Sequence, residues 1–208
     1  VVPGADLPHP NAYTLLVEDD TVWIGTRRGA AVLRGGRLEL PPELAPLRSH
    51  QVNGIVRDRR GALWFVTGGG LYRWRRDDFM AFDTRHGLRD PRTRVMLETR
   101  SGRQLLGTQS GLYEVKDDRL EVIGEDAGLR PNLDITALHE LPDGRLVLGT
   151  LSEEIFLFDG QRWHGFGKAE GMPVNSPFFL THDEAGYLWV AGIRGIHRVT
   201  LADLDDFL

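Results

Sequence analysis

Residues Asp58–Trp74 read DRRGALWFVTGGGLYRW. A turn signal, Asp58–Gly61, leads into a β-branched and aromatic run, Ala62–Thr67. Three glycines and an alternating segment, Leu71–Trp74, follow. Asp can hydrogen-bond the backbone ahead of it and Gly can take positive φ, so DRRG favours a tight turn. ALWFVT has the composition of a strand buried on both faces. An antiparallel hairpin is thus expected within this one stretch.

The phrase recurs. TVWIGT ends at Thr26, ALWFVT at Thr67, RQLLGT at Thr108, RLVLGT at Thr150 and YLWVAG at Gly192, spaced by 41, 41, 42 and 42 residues. Trp23, Trp64, Leu105, Val147 and Trp189 stand three residues before these anchors; Gly29, Gly70, Gly111, Glu153 and Gly195 stand three residues after. A period near 40 built from short strands is the mark of propeller blades. Around the hairpin of the second repeat, Gln51–Arg57 reads as an inner strand and Phe79–Phe82 as an outer one. The reading is all-β: a β-propeller of about five four-stranded blades, with repeats near 11–50, 51–90, 91–131, 132–174 and 175–208. Only the tail Leu201–Leu208 suggests a short helix. Trp23, Trp64 and Trp189 suit the wedge between adjacent blades, where burying such a ring contributes on the order of 2–3 kcal/mol. Thr26, Thr67, Thr108 and Thr150 are read with them as inter-blade structure.

Composition bounds the function. The 208 residues are 41% hydrophobic and 26% charged, which suits a globular domain. A net charge of −5 argues against a nucleic-acid partner, which normally needs a basic face. Arg73, Arg75 and Arg76 are followed at once by Asp77 and Asp78 and read as a solvated mixed-charge turn. Without cysteine there is neither a disulfide nor a thiolate metal site. No apolar run reaches the roughly 18 residues of a membrane span.

The pattern at Asp58–Trp74, and DEAGYLWVAGIRGIHRV at Asp183–Val199, resemble the two-component regulator propeller repeat. The resemblance runs through all five repeats. Such proteins are bacterial sensors with large periplasmic propellers, often seven-bladed. A membrane helix and an output module, commonly a histidine kinase or a diguanylate cyclase, follow. The resemblance therefore implies a periplasmic ligand-sensing segment that binds a small polar molecule or an oligosaccharide. No cofactor is implied, and membrane attachment would come only through flanking segments. The chain opens on Val1 rather than Met, and its fifth repeat stops after the third strand. Both features are expected of a piece of a longer sensor. Either Val1–Leu7 supplies the missing strand of a five-bladed ring, or the chain is an arc of a larger propeller. An arc would expose apolar blade faces, which self-association could cover. Related blades also occur in lyases and glycoside hydrolases, and a protein-interaction scaffold is a third reading.

In a propeller the linkers entering the inner strands and the turns after the second strands share one face. That places Arg27, Arg28, Asn53, Arg94, Asn132, Asp134, Asn175 and Arg194 as ligand-binding candidates, since amides and guanidinium groups grip sugars or carboxylates. The Asn residues also suit plain turn roles. No catalytic or metal-binding residue is assigned. Glu153-Glu154 is a carboxylate pair where Gly recurs, but an altered turn accounts for it equally well. The seven His are scattered without ligand spacing.

Overall fold

The computed structural model describes residues 7–76, 78–152, 154–168, 171 and 176–206. Strands β1 (Ala12–Glu18), β2 (Thr21–Thr26), β3 (Gly29–Arg34) and β4 (Arg37–Glu39) form the first sheet. The second comprises β5 (Val52–Arg57), β6 (Leu63–Thr67), β7 (Gly70–Arg75) and β8 (Asp78–Phe82). The third holds β9 (Thr93–Glu98), β10 (Gln104–Thr108), β11 (Gly111–Lys116) and β12 (Arg119–Ile123). In the fourth are β13 (Ile135–Glu140), β14 (Leu146–Thr150), β15 (Ile155–Phe158) and β16 (Trp163–Phe166). The fifth has β17 (Pro177–His182), β18 (Tyr187–Gly192) and β19 (Gly195–Thr200). Each sheet is a meander whose strands pair in chain order, the arrangement of a propeller blade.

The expected hairpin is β6–β7, in register from Leu63↔Trp74 to Thr67↔Gly70. As read, the fifth blade has three described strands, and helix α1 (Leu201–Asp205) follows it. Thr200 caps that helix, accepting from the Asp203 amide at 2.9 Å. The closing strand expected at Val1–Leu7 falls almost wholly outside the described residues.

The chain divides into two compact units, residues 1–96 and 97–208, with the division inside β9. The core of the first lies between its two complete blades. Trp23 meets Phe65 and Trp74 edge-on, at centroid distances of 6.4 and 5.7 Å, beside Val52 and Ile55. In the second unit Val147 takes the Trp23 position and packs with Leu180, Leu188 and Val190 of the fifth blade. Leu204 of α1 closes that core.

The threonine hydroxyls act within their own blades rather than between blades. Thr26 donates to Gly29 O at 2.8 Å, Thr67 to Gly70 O at 2.7 Å and Thr108 to Gly111 O at 2.9 Å. Each also accepts from the amide two residues on, so one hydroxyl pins both sides of the turn. Thr150 spans a turn one residue longer and reaches Glu154 O at 3.0 Å. The side chain is too short to reach further.

The mixed-charge turn also needs correction. Arg73 points inward: its guanidinium stands 5.6 Å from the ring centroids of both Trp64 and Phe82. Arg75 lies on the same face two residues on, at the exposed end of the strand. Asp77 lies outside the described residues.

Candidate functional site

In the first, second and fourth blades a backbone hydrogen bond ties the entry linker to the turn after the second strand. Arg27 N donates to Asn11 O at 3.0 Å, Gly68 N to Gln51 O at 2.9 Å and Leu151 N to Asp134 O at 2.9 Å. Linker and turn therefore share one end of the blade, which gathers the candidate residues by unit. Arg27, Arg28, Asn53 and Arg94 belong to the first unit; Asn132, Asp134 and Arg194 belong to the second. Asn175 and Glu153 lie outside the described residues.

Not every candidate points a free group outward. The first strand bulges in four of the blades, setting aside Tyr13, Asn53, Thr136 and Phe178. Asn53 uses this position to donate from Nδ2 to Thr93 O at 2.8 Å, while its Oδ1 accepts from Gln51 Nε2 at 2.7 Å. Thr136 likewise donates to Pro177 O. In both cases a bulge side chain reaches the opening residue of the next blade's inner strand. Asn132 takes φ +58, a turn conformation that Asn tolerates. Arg27, Arg28 and Arg194 are exposed in their turns, and Arg94 is half-buried.

One cavity forms around Arg28. It encloses about 210 Å³ and is lined by Pro8, Arg28, Ala30, Leu40, Pro41, Leu44 and Arg48. The linker from β4 to β5 builds its floor. Pro41, Pro42 and Pro46 hold a 3₁₀ helix over Pro42–Leu47, whose Leu44 and Leu47 are buried. The chain then returns through His50, whose carbonyl accepts from Gly29 N at 2.9 Å. Gly29 has φ +94, and a Cβ there would lie 3.1 Å from Arg48 Cα. Only glycine lets the β2–β3 turn lie against the end of the helix, and this contact brings Arg28 and Arg48 side by side. Arg48 escaped the sequence reading; the signal was the cluster of three prolines in a linker that elsewhere reads Gly-Leu or Gly-Met.

A second cavity, of about 230 Å³, lies in the 97–208 unit beside the turns after the first strands. Its two arginines are neutralised. Arg103 pairs with Glu114 at 2.9 Å, and Arg145 with Asp143 at 2.7 Å and Asp205 at 2.6 Å.

The histidines are less scattered than their spacing suggests. His139 Nε2 lies 2.7 Å from His182 Nδ1, joining β13 to β17. Burial, then the charges of His182 and Arg100, hold His139 below the ordinary histidine value. Among the described residues no group of three or more His, Cys, Asp or Glu side chains could hold a metal ion.

The sequence matches no protein-family model and no curated protein. Solved structures do resemble the fold. The extracellular domain assigned to the hybrid two component system BT3049 of B. thetaiotaomicron aligns at TM-score 0.73 and 18% identity, over 92% of this chain and 28% of that one. The corresponding domain of BT4673 from the same organism aligns at 0.74 and 16%, over 90% and 27%. A streptogramin B lyase aligns at 0.72 and 16%, over 95% and 68%. The protein is therefore of the β-propeller class, and its blades resemble those of two-component extracellular domains. It spans about a quarter of the length of those two domains. No helix among the described residues is long and apolar enough to cross a membrane.

Proposed function

We propose that this chain is the ligand-sensing propeller segment of a bacterial signalling receptor. It works outside the cytoplasm, in the periplasm, and hands its signal to an output domain beyond these residues. The observation that carries this reading is the cavity at the linker end of the first unit. There a turn, a 3₁₀ helix and two arginines from different elements converge on a space open to a small ligand. The fold shared with two-component extracellular domains supports it. The test is thermal unfolding of the chain against a panel of small acids and oligosaccharides. A binder of the folded state raises the midpoint with concentration. A panel that leaves the midpoint unmoved, with no change in receptor output, overturns the reading.

The fold likeness to a streptogramin B lyase favours a second reading, a propeller lyase. Incubation with a streptogramin B and analysis for its cleavage decides it. Turnover would replace the sensing assignment with an enzymatic one.

A further inference from the structure

The cavity at Arg28 has side-chain hydrogen-bond donors and no side-chain acceptor. Its polar side chains are Arg28 and Arg48, and the rest are Ala, Leu and Pro. Neither guanidinium has a hydrogen-bonding or ion-pair partner among the described residues. This sets the site apart from the cavity of the second unit, where Arg103 and Arg145 already face carboxylates. Glu43 sits on the same 3₁₀ helix but does not line the space.

Sugar hydroxyls donate as well as accept, so a neutral sugar here would find no side chain to receive its protons. A carboxylate is all acceptor, and two guanidinium forks suit its two oxygens. Ala30, Leu40, Pro41 and Leu44 offer an aliphatic wall with nothing to pair with further polar groups. The volume falls below the roughly 300 Å³ at which pockets begin to enclose drug-sized ligands.

We propose that this cavity binds a small amphipathic monocarboxylate, its carboxylate held by Arg28 and Arg48 and its apolar body against Leu40, Pro41 and Leu44. The proposal rests on the sensing reading and narrows its ligand from polar or glycan to anionic and half apolar.

Phenylacetate is the probe, titrated into the chain by calorimetry. Acetate serves as charge without body, benzyl alcohol as body without charge, and cellobiose as the neutral sugar. Saturable one-to-one binding of phenylacetate is expected, with every control weaker by about tenfold or more. Arg28→Gln and Arg48→Gln should each weaken phenylacetate by about tenfold. Both side chains are exposed, so circular dichroism should show the fold unchanged. Undiminished binding in the double variant, acetate binding as tightly as phenylacetate, or no saturable binding overturns the proposal. Tight cellobiose binding that survives the double substitution removes the carboxylate assignment and leaves the sensing reading standing. Phenylacetate binding without any change in receptor output does the reverse.

Discussion

The indole Nε1 of Trp64 donates to Asp58 Oδ2 at 2.8 Å. The other oxygen of Asp58 accepts from the amides of Arg60 and Ala62 at 2.9 and 2.8 Å, so one carboxylate shapes the turn and satisfies the buried indole. Trp189 and Asp183 repeat the bond at 2.7 Å. In the first blade the turn is one residue shorter, and Glu18 uses its longer arm to reach Trp23 at 3.0 Å. Where Leu105 and Val147 replace the indole, the residue six places earlier is Thr99 or Leu141. Thr99 keeps the turn role alone, accepting from Arg103 N at 3.0 Å.

Asp58→Asn keeps one acceptor oxygen but turns an amide towards the indole N–H. It should lower stability by about 1–3 kcal/mol. The loss should shrink in a Trp64→Leu background, which imitates the third blade. A double-mutant cycle in urea measures the coupling; purely additive losses would contradict the shared role.

Gly29→Ala should destabilise by more than Gly35→Ala. Both positions have positive φ, at +94 and +53. At Gly29, however, the new Cβ meets the backbone of Arg48, whereas nothing lies within 4 Å of Gly35. Backbone strain alone costs about 1–2 kcal/mol, so Gly35→Ala should show roughly that and Gly29→Ala more. Thermal midpoints of the two variants compare them, and equal losses would dismiss the Arg48 contact.

The burial of His139, together with its contact to His182, should make stability fall in mild acid. The folded chain binds a proton at His139 less readily than the unfolded chain, whose value is near 6.5. Between those two values the unfolded state holds more protons, so stability rises with pH. The contribution is complete above 6.5 and is lost as pH falls from there toward the depressed folded value. Besides His182, the charges facing the group are Arg100, which lowers its affinity for a proton, and Glu140, which raises it. His139→Gln should flatten the slope of midpoint against pH between about 8 and 5. An unchanged slope would assign the acid sensitivity elsewhere.

Two blade faces lack the cover that their equivalents have. Leu15 pairs with Ile24 as Ile55 pairs with Phe65 and Leu180 with Val190. Ile55 and Leu180 are 5% and 4% exposed, but Leu15 is 61% exposed. On the opposite side, Ile196 occupies the position of Ala30 and Ile155 and is 69% exposed, against 5% and 0%. The two open faces are the halves of an interface that the chain already builds between its first and second blades and between its fourth and fifth. Head-to-tail docking of a second copy is the expected way to cover both. Sedimentation should show concentration-dependent association that Leu15→Glu or Ile196→Glu abolishes. Mixing the two variants should restore a one-to-one dimer, because each keeps the face that the other has lost. A chain that stays monomeric throughout would show these faces to be idle.

The sequence by itself determined the blade. Turn residues, β-branched runs and the 41–42-residue period are local, and strand pairing within a meander follows from neighbours in the chain. The fold likeness to two-component extracellular domains agrees with the resemblance read from Asp58–Trp74. What the residues do with their polar groups was decided only by tertiary structure. Asn53 looked free in its linker, but Thr93 of the next repeat takes its amide. His139 and His182 meet because they stand one repeat apart on neighbouring blades. Arg48 joins Arg28 because Gly29 allows the turn to rest on a 3₁₀ helix whose form is not repeated among the described residues. A hydrogen-bonding group is spent or free according to what lies across from it. In a propeller that neighbour is about forty residues away, beyond the reach of any local pattern.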